Sequence, residues 1–401
     1  MGDPPSQHAP RSGRRIAACA WTVVVGLVCL EGLSYAVGRY LQTKWCMYGV
    51  PRTPPSRIVA SYADYLARRD PDVGWPFPDQ LGSALFTATG ARPSPAFPDT
   101  TPDTSVVSLY GSSFTQSSNS DAEAWGNVLA QIAGVRVANY GQGGYGTDQA
   151  YLRYKRTRAD RSPIVILTQV SEDILRDLTR DRDLVLYETW WSFKPRFVLA
   201  ADGSLQLVPL PQLSEEESQR LVGQRSPPLV LEHESFCPGG PAGATVQCFP
   251  YTWSLFRGLG DFRLRAKLAH RPTYAEFYAP GHPLHGLEIA REICRAFVAE
   301  ARARGQHPLV MLLPNREDVE HDRRSGERYY APLKKELESA DFDVLDFGDT
   351  LLEVARDRDL DSVYDASGHF TPAADHWLAE FVLAQLKRLP DWESSCRSRS
   401  G

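Results

Sequence analysis

The chain predicts an α/β protein built on a parallel sheet with helices on both faces, and three observations carry that prediction. Short, β-branched, wholly apolar runs alternate with longer segments whose apolar residues recur at helical spacing. The short runs lack the in-and-out alternation of half-exposed strands, as strands buried on both faces do. The same alternation of strand and helix occurs twice, before and after a stretch of about a hundred residues in which it breaks.

Taken in order, residues 1–15 form a basic tail, and the first apolar feature follows it. From Ile16 to Val37 about 22 residues carry one charge, Glu31, enough at ~1.5 Å per residue to cross a bilayer core of ~30 Å. Arg11, Arg14 and Arg15 precede it. This describes a signal anchor or a cleaved signal peptide, with Ser34-Tyr35-Ala36 a small-x-small site; total apolar length favours a retained transmembrane anchor. The tail is then cytoplasmic and the remainder exported, to a periplasmic or extracellular space. Arg39, Lys44 and Arg52 on the far side dilute the charge asymmetry that would fix this orientation.

Residues 38–103 read as a Pro-rich lead, in which 51–103 hold ten of the chain's 30 prolines. Trp75 and Phe77 in GWPFPD are candidates to dock it on the body. SVVSLY (105–110) is a buried strand. DAEAWGNVLAQIAG follows as a helix with Asp121 as N-cap and Gly134 as stop. VRVAN, a Gly-rich turn, a helix through AYLRYKR and the strand PIVILTQV come next. Over 178–285 the pattern gives way to RFVLAADGSLQLVPL, two alternating runs about a DG turn, preceded by Trp190-Trp191. This reads as an insertion that covers the active site or merely elaborates the fold. After it come the helix EIAREICRAFVAEARARG, the strand PLVMLLP, the helix ERYYAPLKKELESA and the strand FDVLDF. A final helix is capped by Thr371-Pro372, and 389–401 form a polar tail. The body is thus one α/β domain over 104–388, split by its insertion.

Composition narrows the function. With 44 basic and 49 acidic side chains and a net charge of −5, the chain lacks the concentrated cation of a nucleic-acid binder. A hydrophobic fraction of 42% is that of a globular protein, and the negative mean hydropathy argues against several membrane spans. Seven cysteines make no disulfide framework in so long a chain. Cys237 and Cys248 bracket a glycine-rich loop that a disulfide would close in an exported domain. No zinc pattern is present: CxxC is absent, and His282 and His285 lack ligand company. Asp357, Asp359 and Asp361 alternate as in a calcium loop, but the Gly and Glu such a loop needs are missing. No cofactor and no metal are expected.

Three segments carry chemistry. Gly111-Ser112-Ser113-Phe114-Thr115 puts a serine at a sharp strand-to-helix junction, its N–H beside it to hold an oxyanion. Asn139-Tyr140-Gly141-Gln142-Gly143-Gly144-Tyr145-Gly146 again follows a strand, with four glycines in six residues. Gly141, Gly143 and Gly146 match GxGxxG, yet the acid that a dinucleotide site needs about 20 residues on has no clean candidate, since Asp160 precedes the next strand and Glu172 comes late. Asp365-Ala366-Ser367-Gly368-His369 places an imidazole just before the final helix. A serine early and an Asp/His pair late suit a Ser-His-Asp triad supplied from strand-end loops.

These segments resemble the SGNH (GDSL-type) hydrolase superfamily, over roughly 104–177 and 289–388. NYGQGGYGTDQAYLRY is similar to the NxGxxGYGTDQ segment of a bacterial membrane-anchored or exported branch. The resemblance implies a flavodoxin-like three-layer α/β/α sandwich, Ser113 as nucleophile, His369 as general base and Asp365 as its acid. It implies the amides of Ser113 and Gly144 as oxyanion donors. Its implied activity is hydrolysis of an exported ester, such as an O-acylated glycan, with a polysaccharide O-acyltransferase or a degenerate glycan- or lipid-binding member as alternatives. Three positions depart from the pattern: Ser112 replaces the Asp before the nucleophile, Glu172 stands where a third oxyanion donor, an Asn, belongs, with Gln169 as a substitute, and Asp365 lies four residues before His369, with Ser367 at the acid's usual place.

Overall fold

The computed structural model describes residues 11–45, 61–186, 191–221, 229, 231–237 and 240–398. Five strands, β1 (Val107–Tyr110), β2 (Val137–Asn139), β3 (Ile164–Val170), β6 (His307–Leu313) and β7 (Val344–Asp346), form one sheet in the order β2-β1-β3-β6-β7, every pair parallel. The remaining two, β4 (Arg196–Leu199) and β5 (Leu205–Val208), make the antiparallel hairpin of the insertion. Without that hairpin the order is the doubly wound one of flavodoxin-like sheets.

Strand periodicity sorts the core into two layers. Val107, Leu109, Ile164, Ile166, Leu309 and Met311 face the helices Trp125–Ala133, Phe347–Val354 and Pro372–Leu386. Tyr110, Val165, Leu167, Val310 and Leu312 face the helices Thr147–Arg156, Gly286–Ala303 and Ala331–Ser339. Every expected strand and each of the body's expected helices is present. Thr371 caps the final helix by accepting from the Ala374 amide at 3.4 Å.

Several expectations are corrected. The N-terminal helix runs from Arg11 to Trp45 and contains the apolar run 16–37, so the helix is longer than that run at both ends. Asp121 does not cap the helix that follows; the cap position is Ala124, and Asp121 pairs with Arg92 at 2.7 Å. The polar tail contains the helix Trp392–Ser398, with Trp392 buried in the second layer. Cys237 and Cys248 are both free thiols, one buried and one exposed, so the loop they bracket is not closed covalently. That loop is held instead by backbone bonds, among them Gly240 N–H to Cys237 O at 2.8 Å. Asp359 caps a short 3-10 turn and Asp361 pairs with Arg316 at 2.6 Å, so two of the alternating aspartates serve structure.

The described part of the lead is no detached spacer. Tyr62, Tyr65, Val73, Trp75, Phe77 and Ala91 enter the first core layer, and the Arg92 amide donates to Asn139 O at the sheet edge at 2.8 Å. The insertion joins the same layer through Phe193, Phe197, Phe236 and Phe277.

A buried ionic joint ties the insertion to the body. Lys194, with no exposed surface, donates through Nζ to the Asp148 carboxylate, to Arg176 O at 2.8 Å and to Thr179 O. Asp177 accepts from the Asp148 amide at 3.0 Å, and burial, then the nearby Asp148 charge, pushes its pKa far up. Deleting one partner of a buried pair such as Lys194 and Asp148 strands a buried charge. Lys194→Met should cost about 3–5 kcal/mol in a urea unfolding curve; a loss below ~1 kcal/mol would show that the joint contributes no such constraint.

Candidate active site

The carboxyl ends of β1, β2, β3 and β6 open into a cleft of about 500 Å³, lined among others by Ser113, Gly144, Glu172, Arg176, Arg182 and His369. Residues separated by up to 256 positions meet there because parallel strands deliver all their following loops to one edge.

Ser113 begins the short helix Ser113–Gln116 directly after β1. His369 Nε2 lies 2.8 Å from Ser113 Oγ. The imidazole packs on Phe114, ring centroids 5.1 Å apart, and Phe114 in turn meets Phe370 edge-on at 5.0 Å. The final helix also holds the serine's loop: Asp375 accepts from Ser117 Oγ at 2.5 Å, Asn119 Nδ2 at 2.8 Å and the Trp125 amide at 3.3 Å. Burial pushes the Asp375 carboxyl up to about 6.

Asp365 is near His369 but does not touch its ring. Its Oδ1 accepts from the Ser367 amide at 2.8 Å, from Ser367 Oγ at 2.6 Å and from the His369 amide at 3.1 Å. Ser367 Oγ then meets His369 Nδ1 at 2.9 Å. The expected direct acid–base pair is thus a relay through Ser367, because the turn between Tyr364 and Phe370, with Gly368 at φ +85°, uses Asp365 to bind backbone amides. Proton directions follow from valence. Asp365 only accepts, so Ser367 donates its one proton to it and offers a lone pair to Nδ1–H. Nε2 is then the unprotonated nitrogen and accepts from the Ser113 hydroxyl.

The second glycine block lies against the serine. A Cβ on Gly141 would fall 2.3 Å from the Gln116 amide nitrogen, so only glycine lets the two loops touch. The loop is pinned by Gly143 N–H to Gln116 Oε1 at 2.6 Å, and by Trp75 Nε1–H to Gly143 O at 2.8 Å. Gly144 has φ +78°, and a Cβ there would fall 2.3 Å from Arg182 Nε. Glycine is needed at that point both for the left-handed backbone and for the arginine lying across it. Among the described residues, no carbonyl or side chain accepts from the Ser113 or Gly144 amides.

Glu172 lines the cleft, but its carboxylate is paired with Arg176, which also meets Asp173 at 2.7 Å. Its other oxygen sits 3.5 Å from Asn315 Nδ2. Glu172 therefore supplies no donor, and its charge is compensated. Gln169 is buried away from the cleft against Tyr278, 3.5 Å from its hydroxyl. Arg176, Arg182, Asn315 and the hydroxyl of Ser367 were not among the site residues expected from sequence. Only Ser367 carried a signal, its place two residues before the histidine. Trp191 packs edge-on against Tyr62 at 5.3 Å, a core contact, and Trp190 lies outside the described residues.

Topology and strand-end loops together make this a flavodoxin-like α/β fold with its cleft at the carboxyl edge of the sheet. Among solved structures, the chain is similar to a G-D-S-L family lipolytic protein from Desulfitobacterium hafniense DCB-2, at 13% identity over 69% of this chain and 96% of that one, TM-score 0.32. It is similar to another member of that lipolytic family, from Veillonella parvula DSM 2008, at 12% identity over 71% and 98%, TM-score 0.34. A catalytic mutant of an acetylxylan esterase from Geobacillus stearothermophilus matches at 12% identity over 70% and 93%, TM-score 0.37. No family model and no curated protein matches the chain.

Burial lowers the His369 pKa, outweighing the upward pull of Asp365 and Glu172. Asp365 is itself held below the usual carboxylate range: burial works to raise it, but the hydrogen bonds from Ser367 and His369 outweigh that. The neutral imidazole is the proton-accepting form, so activity that depends on it is full above its pKa and lost as pH falls through it. The acid limb of kcat/KM should have its midpoint below ~6.5, the ordinary histidine value; a midpoint at or above that value would contradict the burial argument.

Proposed function

We propose that the protein is a serine esterase of the SGNH type, exported and held by its N-terminal helix as a single-pass anchor, that cleaves an acyl ester such as one on a glycan. The contact that supports this most is His369 Nε2 at 2.8 Å from Ser113 Oγ, in an open cleft beside Gly144. Supporting the anchor, Arg15–Lys44 is long and apolar enough to cross a bilayer, with none of its most apolar window buried in the protein.

In the proposed reaction Ser113 Oγ bonds to the ester carbonyl carbon while His369 Nε2 takes the hydroxyl proton. The carbonyl oxygen becomes an oxyanion held by the amides of Ser113 and Gly144. Collapse of that intermediate breaks the bond to the alcohol oxygen, which leaves with the proton from His369. Water then attacks the acyl-serine, giving its proton to Nε2, and Ser113 recovers that proton as the acid departs. The imidazolium formed in each half is stabilised through Ser367 by Asp365. Arg182 takes the place of the family's third amide donor: lying across Gly144, it puts a fixed positive charge beside the developing oxyanion. Pairing of Glu172 with Arg176 removes the objection that a carboxylate there would oppose that charge.

Two experiments test this. A fluorophosphonate probe should label the wild-type protein on Ser113, fail to label Ser113→Ala, and label Ser367→Ala about 10²-fold more slowly at unchanged thermal stability. An unlabelled wild type would refute the nucleophile. Arg182→Met should lower kcat on an aryl acetate by about 10²–10³ with a smaller change in KM; a change confined to KM would assign Arg182 to substrate binding alone.

A further inference from the structure

Glu31 is the one charge in the apolar run of the N-terminal helix, and it is bound to the catalytic body. Its carboxylate accepts from the backbone amides of Tyr251 and Thr252, the first residues of the insertion helix Tyr251–Gly258. Around that contact Ser34 Oγ meets Thr252 Oγ1 at 3.0 Å, Gln247 Nε2 donates to Tyr35 O at 2.8 Å, and the rings of Tyr35 and Tyr251 lie 5.0 Å apart. Leu41 packs with Leu255 and Leu264. The insertion thus rests on the C-terminal half of the very helix read as the anchor.

Beside this contact the insertion bares its apolar side chains. Phe249, Trp253, Phe256, Leu259 and Leu268 each leave more than half of their surface exposed, and Trp253 stacks on Phe256 with ring centroids 5.8 Å apart. Isolated exposed apolar residues mean little, but five within twenty residues, two of them stacked, form a patch. The same stretch is basic: residues 249–271 hold Arg257, Arg263, Arg265, Lys267 and Arg271 against the single acid Asp261, in a chain of net charge −5; Arg263 is buried beside Asp261 and Arg265 pairs with Glu276 at 2.8 Å, while Arg257 and Lys267 are exposed. Aromatic and aliphatic side chains with flanking cations are the composition of a helix lying in a bilayer interface.

Position agrees with composition. Glu31 lies six residues before Val37, the end of the apolar run, or about 9 Å along the helix axis. Interfacial helices bury their apolar face ~5–10 Å into the boundary of headgroups and acyl chains. Glu31 also finds its two amide donors at that depth, where an unpartnered carboxylate is costly.

We propose that residues 249–268 form a second membrane contact, a segment that lies in the bilayer interface beside the anchor with Phe249, Trp253, Phe256, Leu259 and Leu268 among the lipids and the exposed Arg257 and Lys267 at anionic headgroups. The inference rests on the anchor reading of the N-terminal helix. It makes the body a bilayer-bound unit rather than one tethered at a distance, and places its substrate at the membrane surface.

The test is photocrosslinking of the full chain in nanodiscs of phosphatidylcholine and phosphatidylglycerol, containing a phospholipid with a diazirine near the glycerol end of one acyl chain. Adducts are mapped by peptide mass spectrometry, with the surface helix Arg316–Ser325 as the background. Adducts above that background in both Arg15–Lys44 and 249–268 are expected. Adducts in the N-terminal helix with only background in 249–268, as when a second protein copy covers the patch, would overturn the inference and leave the anchor standing. Background in both would overturn the anchor itself, and this inference with it.

Discussion

The buried pair of Lys194 and Asp148 is the constraint through which the insertion and the cleft become one object. Asp148 belongs to the end of the glycine loop, Arg176 and Thr179, whose carbonyls also receive the ammonium, to the segment after β3, and Lys194 to the insertion. An ion pair without solvent adds little net stability over apolar packing, but it tolerates only one arrangement of its partners. Here that arrangement carries the rest of the cleft wall. Arg176, whose carbonyl takes the ammonium, turns its guanidinium to Glu172 and Asp173. Arg182 follows closely in the same strand of chain, its amide bonded to Ser192 O at 3.2 Å, two residues from Lys194. The insertion therefore shapes the reaction centre from its root, not from a lid above it.

The relay through Ser367 has an energetic consequence that a direct acid would not. A carboxylate touching Nδ1 raises the imidazole pKa, because it favours the charged ring. With a hydroxyl between them, that Coulombic pull is exerted from farther away, and desolvation of the ring prevails. The imidazole pKa is thereby held below the ordinary histidine value. Orientation is not sacrificed, since the Ser367 hydroxyl is committed to Asp365 and has only a lone pair left for Nδ1–H.

What was legible in the sequence is what local chemistry dictates. Buried strands such as SVVSLY and PIVILTQV declare themselves because a parallel strand covered on both faces has no polar side to disguise it. Ser113, Gly144 and His369 were legible because a strand end, a glycine that must accept φ +78° and a capped helix fix where their backbones go. The link from Asp365 to the imidazole runs through Ser367 rather than directly, because proximity in sequence does not say whether a carboxylate will bind a ring or the amides of its own turn. Arg182 could not be foreseen at all: its place depends on the Lys194 joint and on the missing Cβ of Gly144, neither of which a spacing encodes. The docking of the lead was legible in Trp75 and Phe77 of GWPFPD, whereas Tyr62 and Tyr65, equally buried, stand in no motif that announces it.

Glu31 shows how one anomaly in a sequence can be resolved by a contact far along the chain. Within an apolar run a lone carboxylate argues against a simple anchor, since its insertion into hydrocarbon is unfavourable. The amides of Tyr251 and Thr252 change that balance. They are among the backbone donors that the first turn of a helix leaves unsatisfied, and at the depth proposed for them water would be scarce. Each partner removes the other's penalty, so the contact is stronger near lipid than it would be in water. On the proposed anchor reading, the charge that weakens the hydrophobic run is thus the group that lets the body seat itself against it. The exposed Phe249, Trp253 and Phe256 fit the same proposal, because a helix capped by Glu31 lies beside the N-terminal helix wherever that helix lies.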